Sequence, residues 1–207
     1  GNLTNLTGLD LSYNQLTGEI PSWIGDLTNL TGLFLSSNQL TGEIPSEIGQ
    51  LTDLAALYLD NNQLTGEIPQ EFWDLTELHH LYLNTNQLTG EIPPEIENLY
   101  NLHKLELQNN QFTSVSDNIC NLDLTWFEEE NNCCNQSLIY NNNLCPPYPE
   151  CIEDYVGEQE CIEYQLGDIT LNESIDVGDI VLMVEYILGE SELTDFQIAL
   201  SDLNDSG

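Results

Sequence analysis

The chain contains 207 residues with a formal net charge of −35, because 36 acidic residues stand against one Lys and no Arg. Such a surface repels phosphate backbones and anionic lipid head groups, which argues against nucleic-acid binding and binding at a membrane surface. No apolar run approaches the ~20 residues of a membrane-spanning helix, so insertion into a membrane is not expected.

The first half of the chain is an internal repeat. The octapeptide NQLTGEIP occurs at residues 14–21, 38–45, 62–69 and 86–93, always 24 residues apart. Each unit reads L-x-x-L-x-L-x-x-N-x-L-T-G-E-I-P-x-x-I-G-x-L-x-x, and a fifth copy begins at Asn110 and then decays. No single unit can bury its own apolar face, so the copies are expected to stack.

Each unit predicts one strand, one turn and one buried anchor. Two leucines alternate with polar residues, which predicts a short strand with one buried face. The asparagine that follows is expected to hold the turn and to bond the neighbouring coil through its side-chain amide. A bulky apolar residue further on is expected to bury under the convex side. The asparagines are Asn14, Asn38, Asn62, Asn86 and Asn110, and the bulky residues are Ile24, Ile48, Phe72 and Ile96.

This leucine spacing resembles the leucine-rich-repeat family, and LTGEIP is the mark of its plant-type subclass. The resemblance implies an α/β-type solenoid, in which a right-handed coil carries a parallel sheet on its concave face and is followed by a disulfide-bonded cap and a small helical tail. We expect the solenoid over residues 1–113, a Cys-rich cap and linker over 114–166, and an acidic tail over 167–207. Residues 1–9 align with residues 25–33, so the chain is expected to begin in the middle of a repeat.

The outward side chains of the stacked strands are expected to form columns. The central column reads Asp10, Phe34, Tyr58, Tyr82 and Glu106, and its three aromatic residues are not needed for the core. One interpretation is a platform that binds a protein or glycan ligand. The second is that the rings stack on one another and stabilise the sheet.

Every basic residue of the chain lies at the start of the fourth or fifth strand. These residues, which we call the basic patch, are His79, His80, His103 and Lys104. In so negative a field the pKa values of the histidines are expected to be raised. One interpretation is that the patch docks an acidic segment of the same chain, of another copy or of a partner. Charge compensation within the coil is the commonest outcome for such clusters, and a His-based metal site is a third interpretation.

Six cysteines lie between residues 120 and 161, which predicts disulfides and an oxidising, extracytoplasmic setting, as for a secreted protein. We expect a Cys120–Cys145 bond across the cap and a Cys151–Cys161 bond across a short loop, with Cys133 and Cys134 unassigned. Six sequons provide candidate glycosylation sites at Asn2, Asn5, Asn29, Asn135, Asn172 and Asn204.

Residues 168–179 carry oxygen-bearing side chains at the positions that ligate Ca²⁺ in a calcium-binding loop, and a helix is expected to follow directly. This unit resembles half of a dockerin module, and residues 202–207 resemble the opening of a second half. The predicted ligands are Asp168, Thr170, Asn172, Ser174, Asp176 and Asp179, with a weaker second site at Asp202, Asn204 and Ser206. The alternative is a capped helix start that binds no ion.

Residues 145–151 read CPPYPEC, and the whole arrangement is similar to secreted bacterial leucine-rich-repeat proteins that carry a CPPYPxC segment and a dockerin-like tail. No catalytic-triad spacing or Gly-rich phosphate loop is present, so catalysis is not expected. The leading hypothesis is an extracellular recognition or adhesion module that binds a protein or glycan on the concave face. The alternative is a subunit of a self-assembled filament or surface layer, in which the open first coil contacts the C-terminal region of another copy.

Overall fold

The computed structural model describes residues 3–126 and 137–157, which belong to one compact unit. Within these residues no helix is long and apolar enough to cross a membrane. Several predicted sites lie outside the described residues, and the predicted domain boundaries stay predictions. The sites outside are both calcium loops, Cys133, Cys134, Cys161, Asn2, Asn135, Asn172 and Asn204.

The described residues form short strands and 3₁₀ helices that recur once per repeat. In chain order the strands are β1 (Gly8–Asp10), β2 (Thr17–Glu19), β3 (Gly32–Phe34), β4 (Gln39–Gly42), β5 (Ala56–Tyr58), β6 (Gln63–Gly66), β7 (His80–Tyr82), β8 (Gln87–Leu88), β9 (Glu91–Ile92), β10 (Lys104–Glu106) and β11 (Ser114–Val115). The 3₁₀ helices are Ser22–Asp26, Ser46–Gln50, Gln70–Asp74, Pro94–Asn98, Asp117–Asn121 and Glu153–Tyr155.

Five parallel strands in the order β1-β3-β5-β7-β10 form the main sheet, which we call the concave sheet. Equivalent positions of successive repeats pair across it, so that Leu9 lies opposite Leu33 and Leu33 lies opposite Leu57. The 24-residue period of the sequence is therefore the register of the sheet. The predicted stacking of the repeats into a solenoid is confirmed.

A second parallel sheet in the order β2-β4-β6-β8, which we call the flank sheet, is built from the LTG part of each repeat. Its glycines, Gly18, Gly42, Gly66 and Gly90, have φ angles of +87°, +75°, +76° and +80°. An L side chain rarely adopts this conformation, which explains why every copy of LTGEIP carries Gly at this point. Beyond the flank sheet, β9 pairs with β11 in parallel.

The core is a column of apolar side chains between the two sheets and the 3₁₀ helices. Ile24, Ile48, Phe72 and Ile96 are buried, as predicted. The 3₁₀ helices stack closely, because a Cβ at Gly49 would lie only 2.4 Å from the carbonyl oxygen of Glu71. The third repeat carries Trp73 at this glycine position, and its indole is buried beside Phe72 with the ring centroids 5.5 Å apart.

From the second coil onward, the asparagine after the strand ties its own coil to the preceding one. The side-chain oxygen of Asn62 accepts a hydrogen bond from the backbone N–H of Leu40 at 3.0 Å. Its amide nitrogen donates to the carbonyl oxygens of Leu35 and Leu59, each at 3.0 Å. The corresponding bonds recur at Asn38, Asn86 and Asn110, so the predicted asparagine ladder is confirmed.

Residues 137–144 form a sixth rung that the sequence analysis did not predict. Leu138 pairs in parallel with Glu106, and Ile139 is fully buried in the core. The oxygen of Asn142 accepts from the N–H of Phe112 at 3.2 Å, as a ladder asparagine does. The fifth and sixth rungs are 32 residues apart rather than 24. The signal was nevertheless present, because Ile139 to Leu144 reads I-Y-N-N-N-L and matches L-x-x-N-x-L.

The segment after the fifth coil packs on the core, but its predicted disulfides are wrong. Leu122 and Trp126 are buried against the last coils. Cys120 bonds Cys151 instead of Cys145, and Cys145 is itself disulfide-bonded. The Cys120–Cys145 and Cys151–Cys161 pairings therefore do not form. The reason is the sixth rung, since the proline-rich segment that leaves it brings Cys151, and not Cys145, to the Asp117–Asn121 helix.

Candidate functional site

The aromatic column of the concave sheet is a continuous stack. The rings of Phe34 and Tyr58 meet edge to face with centroids 4.9 Å apart, and those of Tyr58 and Tyr82 are tilted at 4.3 Å. Mutual stacking, the second of the two interpretations, is therefore what the structure shows. All three rings are still only half-buried, so part of each remains open to solvent.

A groove of ≈ 530 Å³ lies over the first part of this column. It combines aromatic rings with hydroxyl and carboxylate groups, which is the composition of a site that holds a partly polar ligand. Its lining residues are Asp10, Ser12, Tyr13, Phe34, Ser36, Tyr58, Asp60 and Tyr82. The predicted site residues Asp10, Phe34, Tyr58 and Tyr82 are thus brought together, whereas Glu106 is not part of the groove.

A second column beside the aromatic one was missed by the sequence analysis. It reads Ser12, Ser36, Asp60, Asn84 and Gln108. These residues follow the aromatic column by two positions, and side chains two apart in extended chain share a face. Strand periodicity alone was therefore sufficient to find them.

Asp60 is the carboxylate that this second column contributes to the groove. Its Oδ1 accepts a short hydrogen bond from the hydroxyl of Ser36. Its Oδ2 accepts from the side-chain amide of Asn61 at 2.8 Å. At the first strand, Asp10 accepts from the backbone N–H of Ser12 at 3.0 Å. Both carboxylates are therefore held in place by hydrogen bonds from neighbouring residues.

Further along the same column, Asn84 and Gln108 are buried polar residues. The side-chain oxygen of Asn84 and that of Gln108 have no hydrogen-bond partner within the described residues. The amide nitrogen of Gln108 donates to Glu106 at 3.2 Å. A buried acceptor without a partner destabilises the folded state, so such groups are unusual in protein interiors.

The four residues of the basic patch differ in exposure, since His80 and His103 are exposed, His79 is half-buried and Lys104 is buried. Lys104 is buried, and its Nζ lies 2.9 Å from Oε1 of Glu106 and 5.8 Å from the ring centroid of Tyr82. Charge compensation within the coil, one of the alternatives, is what Lys104 provides. The lysine is therefore engaged by its own sheet and does not present its charge to an acidic partner.

The predicted rise in histidine pKa is wrong for His80. Burial lowers its pKa, and the neighbouring positive groups His79, His103 and Lys104 lower it further. The local cluster of cations thus outweighs the overall negative charge, because short-range interactions are screened less than distant ones.

The rings of His79 and His103 lie 5.6 Å apart, and Nδ1 of His79 is 2.8 Å from the carbonyl oxygen of Glu77.

Tyr58 and Tyr82 stay neutral at physiological pH. Burial raises the pKa of Tyr58, and the carboxylates of Asp60 and Glu106 raise it further. Burial also raises the pKa of Tyr82, assisted by Tyr58 and Glu106.

The remaining predicted sites among the described residues are the His-based metal site and two glycosylation sequons. Within residues 3–126 and 137–157 no group of three or more His, Cys, Asp or Glu side chains is arranged to hold a metal ion. Asn5 and Asn29 are both exposed, and the Asn29 amide donates to the carbonyl oxygen of Thr4 at 2.5 Å. Glycosylation at these sequons stays a prediction.

Two models of leucine-rich repeats match the sequence. The model for Leucine Rich repeats (2 copies) matches residues 4–45 and 76–121, and the model for a single Leucine Rich Repeat matches residues 53–75. Together these matches make up more than half of the chain. No curated protein matches it.

The chain is also similar to solved structures of plant receptors. It is 39% identical to the plant peptide hormone receptor RGFR1 in complex with RGF2, with a TM-score of 0.61 over 69% of this chain and 22% of that one. It is 34% identical to the ectodomain of the membrane receptor kinase GASSHO1/SCHENGEN3 from Arabidopsis thaliana in complex with CASPARIAN STRIP INTEGRITY FACTOR 2, with a TM-score of 0.61 over 69% and 16%.

A third structure is matched over most of its own length. The chain is 33% identical to the BIR3–SERK2 complex from Arabidopsis thaliana, with a TM-score of 0.56 over 69% of this chain and 72% of that one. The two receptors in complex with RGF2 and CASPARIAN STRIP INTEGRITY FACTOR 2 are spanned by this chain over less than a quarter of their length. Bacterial origin and the dockerin-like tail stay predictions.

Proposed function

This chain belongs to the leucine-rich-repeat family, and we propose on that premise that it is an extracellular, non-catalytic recognition module whose concave sheet binds a segment of a protein partner. The observation that carries the proposal is the groove over Phe34 and Tyr58, in which half-exposed rings lie beside fixed carboxylates. Tyrosine rings at the centre of a face contribute large contact areas with few rotatable bonds, as in other binding sites.

The similar structures support a protein partner. RGFR1 and GASSHO1/SCHENGEN3 are each in complex with a named partner, and BIR3 is in complex with SERK2. The GASSHO1/SCHENGEN3 structure is a receptor ectodomain, which supports an extracellular place for this chain too. A glycan is the alternative ligand, since sugar rings also stack on aromatic side chains.

The test is a selection of ligands on the immobilised chain followed by binding to single variants. We expect a displayed peptide library to yield ligands whose affinity falls about tenfold or more in Tyr58→Leu, because a central aromatic side chain carries a large share of the binding energy. The control is Tyr100→Leu, which removes an exposed tyrosine outside the concave sheet. Ligands that bind Tyr58→Leu as tightly as the unaltered chain contradict the proposal. A glycan array in parallel reports the alternative.

We also propose that the predicted loop at residues 168–179 binds Ca²⁺ and stabilises the tail for anchoring or assembly. The support is the spacing of its oxygen ligands in the sequence alone. Titration calorimetry is expected to give a dissociation constant of about 10⁻⁴–10⁻³ M that is lost in Asp176→Ala. The control is Asp154→Ala, which removes an exposed carboxylate elsewhere. Equal binding by both variants shows diffuse binding to an acidic surface.

A second candidate function, a subunit of a self-assembled filament, is suggested by apolar exposure in the first described coil. Leu11 and Leu16 are 38% and 37% exposed there, and within the described residues β1 pairs with β3 alone. Exposed strand edges with apolar side chains invite pairing with another copy. Light scattering with and without Ca²⁺ tests this function, and Leu16→Lys is expected to reduce any assembly. Monodisperse particles in both conditions contradict it.

A further inference from the structure

One end of the concave sheet already holds a cation between an aromatic ring and a carboxylate. Lys104 is buried with its Nζ 5.8 Å from the ring centroid of Tyr82 and 2.9 Å from Oε1 of Glu106. An ammonium group over the face of an aromatic ring is stabilised by the negative potential of that face. The carboxylate adds a direct ion pair, so this end of the sheet is an occupied cation site.

The other end of the same sheet repeats the aromatic and carboxylate groups without a cation of its own. Phe34 and Tyr58 supply the rings, and Asp10 and Asp60 supply the carboxylates. Here an open groove of ≈ 530 Å³ takes the place of the lysine. The space is ample for a single long side chain together with part of a backbone.

The chain contains no further lysine or arginine that could occupy this groove. Its one Lys is Lys104, which pairs with Glu106, and it has no Arg. Its three histidines lie at the other end of the sheet, in or beside β7 and β10. A cation in the groove must therefore come from another molecule. The net charge of −35 favours the approach of a basic one.

The groove is preorganised for such a ligand. Hydrogen bonds from Ser36 and Asn61 fix the carboxylate of Asp60, and each of its oxygens retains the capacity to accept another hydrogen bond. Asp10, the second carboxylate, is likewise held by a hydrogen bond from the backbone N–H of Ser12. Fixed acceptors beside aromatic faces suit a donor-rich planar cation, because guanidinium both stacks and donates several hydrogen bonds.

We propose that the groove formed by Asp10, Phe34, Tyr58 and Asp60 is a specificity site for a basic side chain, an arginine for preference, carried by an extended segment of the protein partner. The guanidinium stacks on the rings of Phe34 and Tyr58 and donates to Asp60, as Lys104 does with Tyr82 and Glu106. This inference rests on the proposed function and names the chemistry of its ligand. It does not depend on knowing the partner.

The test uses two capped peptides, acetyl-Gly-Arg-Gly-amide and its citrulline counterpart, which has the same shape without the charge. They are titrated into the full chain carrying ¹³C-labelled tyrosine rings, at about 0.15 M salt to screen diffuse attraction. We expect saturable shifts of the Tyr58 ring signals with the arginine peptide, and binding about tenfold weaker or worse with citrulline, because charge-assisted hydrogen bonds are the stronger ones.

Matched variants separate this site from the general negative charge. Asp60→Asn is expected to weaken the arginine peptide about tenfold, since the charged acceptor is replaced by a neutral one. Asp10→Asn, at an exposed position where folding is not at risk, is expected to weaken it by a smaller factor. Glu67→Gln changes the net charge equally on the flank of the solenoid and is expected to leave the affinity within about twofold.

Equal binding of the arginine and citrulline peptides overturns the inference, and so does equal weakening by Asp60→Asn and Glu67→Gln. An absence of any shift at Tyr58 overturns it as well. These outcomes leave the proposed function intact, provided that selected peptides still depend on Tyr58 but lack basic residues. Selected ligands that do not depend on Tyr58 contradict the proposed function instead.

Discussion

The first and fifth coils carry the same repeat, yet equivalent side chains have opposite surroundings. Leu11 is 38% exposed, whereas Leu107 in the fifth coil is 1% exposed. Leu16 is 37% exposed, whereas its equivalent Phe112 is 1% exposed. The exposure of the two coils differs because the sixth rung covers the fifth coil. Burial in this molecule is therefore a property of adjacent coils rather than of the repeat sequence, as a one-dimensional stack requires.

Truncation of the equivalent leucines is expected to give the largest difference in stability between the two coils. Leu107→Ala is expected to lower the free energy of unfolding by about 2–5 kcal/mol, because it removes buried methyl groups and leaves a cavity. Leu11→Ala is expected to lower it by less than about 1 kcal/mol, because its side chain is already partly hydrated. Urea unfolding followed by circular dichroism measures both. Similar losses at the two positions contradict the dependence on neighbours.

Removal of a ladder asparagine is also expected to lower the free energy of unfolding more in the fifth coil than in the first, by a smaller difference. Asn110 is buried and bonds Leu88, Leu83 and Leu107. Asn110→Ala therefore removes three hydrogen bonds and leaves the N–H of Leu88 without a partner among the described residues, whereas the carbonyls of Leu83 and Leu107 keep bonds from Asn86 and Asn142. The expected loss is about 2–3 kcal/mol. Asn14 is exposed and its amide reaches only carbonyl oxygens of its own turn, at Leu11 and Ser12. Asn14→Ala is expected to lose less than about 1 kcal/mol.

Both asparagine variants are measured by the same urea titration, with the slope of the transition as a check that two-state unfolding is kept. An Asn14→Ala variant as damaged as Asn110→Ala indicates that the turn itself, and not the bridge between coils, is what the asparagine stabilises. The first and fifth coils would then depend equally on their asparagine.

The smallest expected effect is a pH dependence at His80. Because its pKa is lower in the folded chain than the ordinary 6.5, the unfolded chain binds more protons as the pH falls through that value. His80 therefore contributes stability above pH ~6.5 that is lost below it. His80→Gln is expected to remove this loss, so the difference in stability between the two chains narrows on acidification. A difference that is constant from pH 8 to about 5 contradicts the shift.

The regular part of the fold follows from the sequence, and the irregular part does not. The strands at Leu33, Leu57 and Leu81, the ladder at Asn62 and the buried Phe72 all derive from a 24-residue period that can be read directly. A period identifies which residues meet, because equivalent residues occupy the same position in successive coils. Once the period is lost after the fifth copy, local pattern alone no longer fixes the path of the chain.

The candidate site shows the same limit. Phe34, Tyr58 and Tyr82 were predictable from their column, but the burial of Lys104 was not, because it depends on Glu106 and Tyr82 closing around one side chain. The Cys120–Cys151 bond likewise depends on the path that the chain takes after the sixth rung. Both are consequences of three-dimensional neighbours that lie far apart in the sequence or differ between otherwise similar units.

The indole of Trp73 prevents the second and third repeats from being exchanged without repacking. Copying the third unit into the second would place an indole at Gly49, where even one carbon would lie 2.4 Å from a backbone oxygen of Glu71. Copying the second unit into the third would leave a void about the size of an indole. A duplication of the second unit, natural or designed, must therefore keep a small residue wherever the next coil packs as closely as Glu71 packs on Gly49.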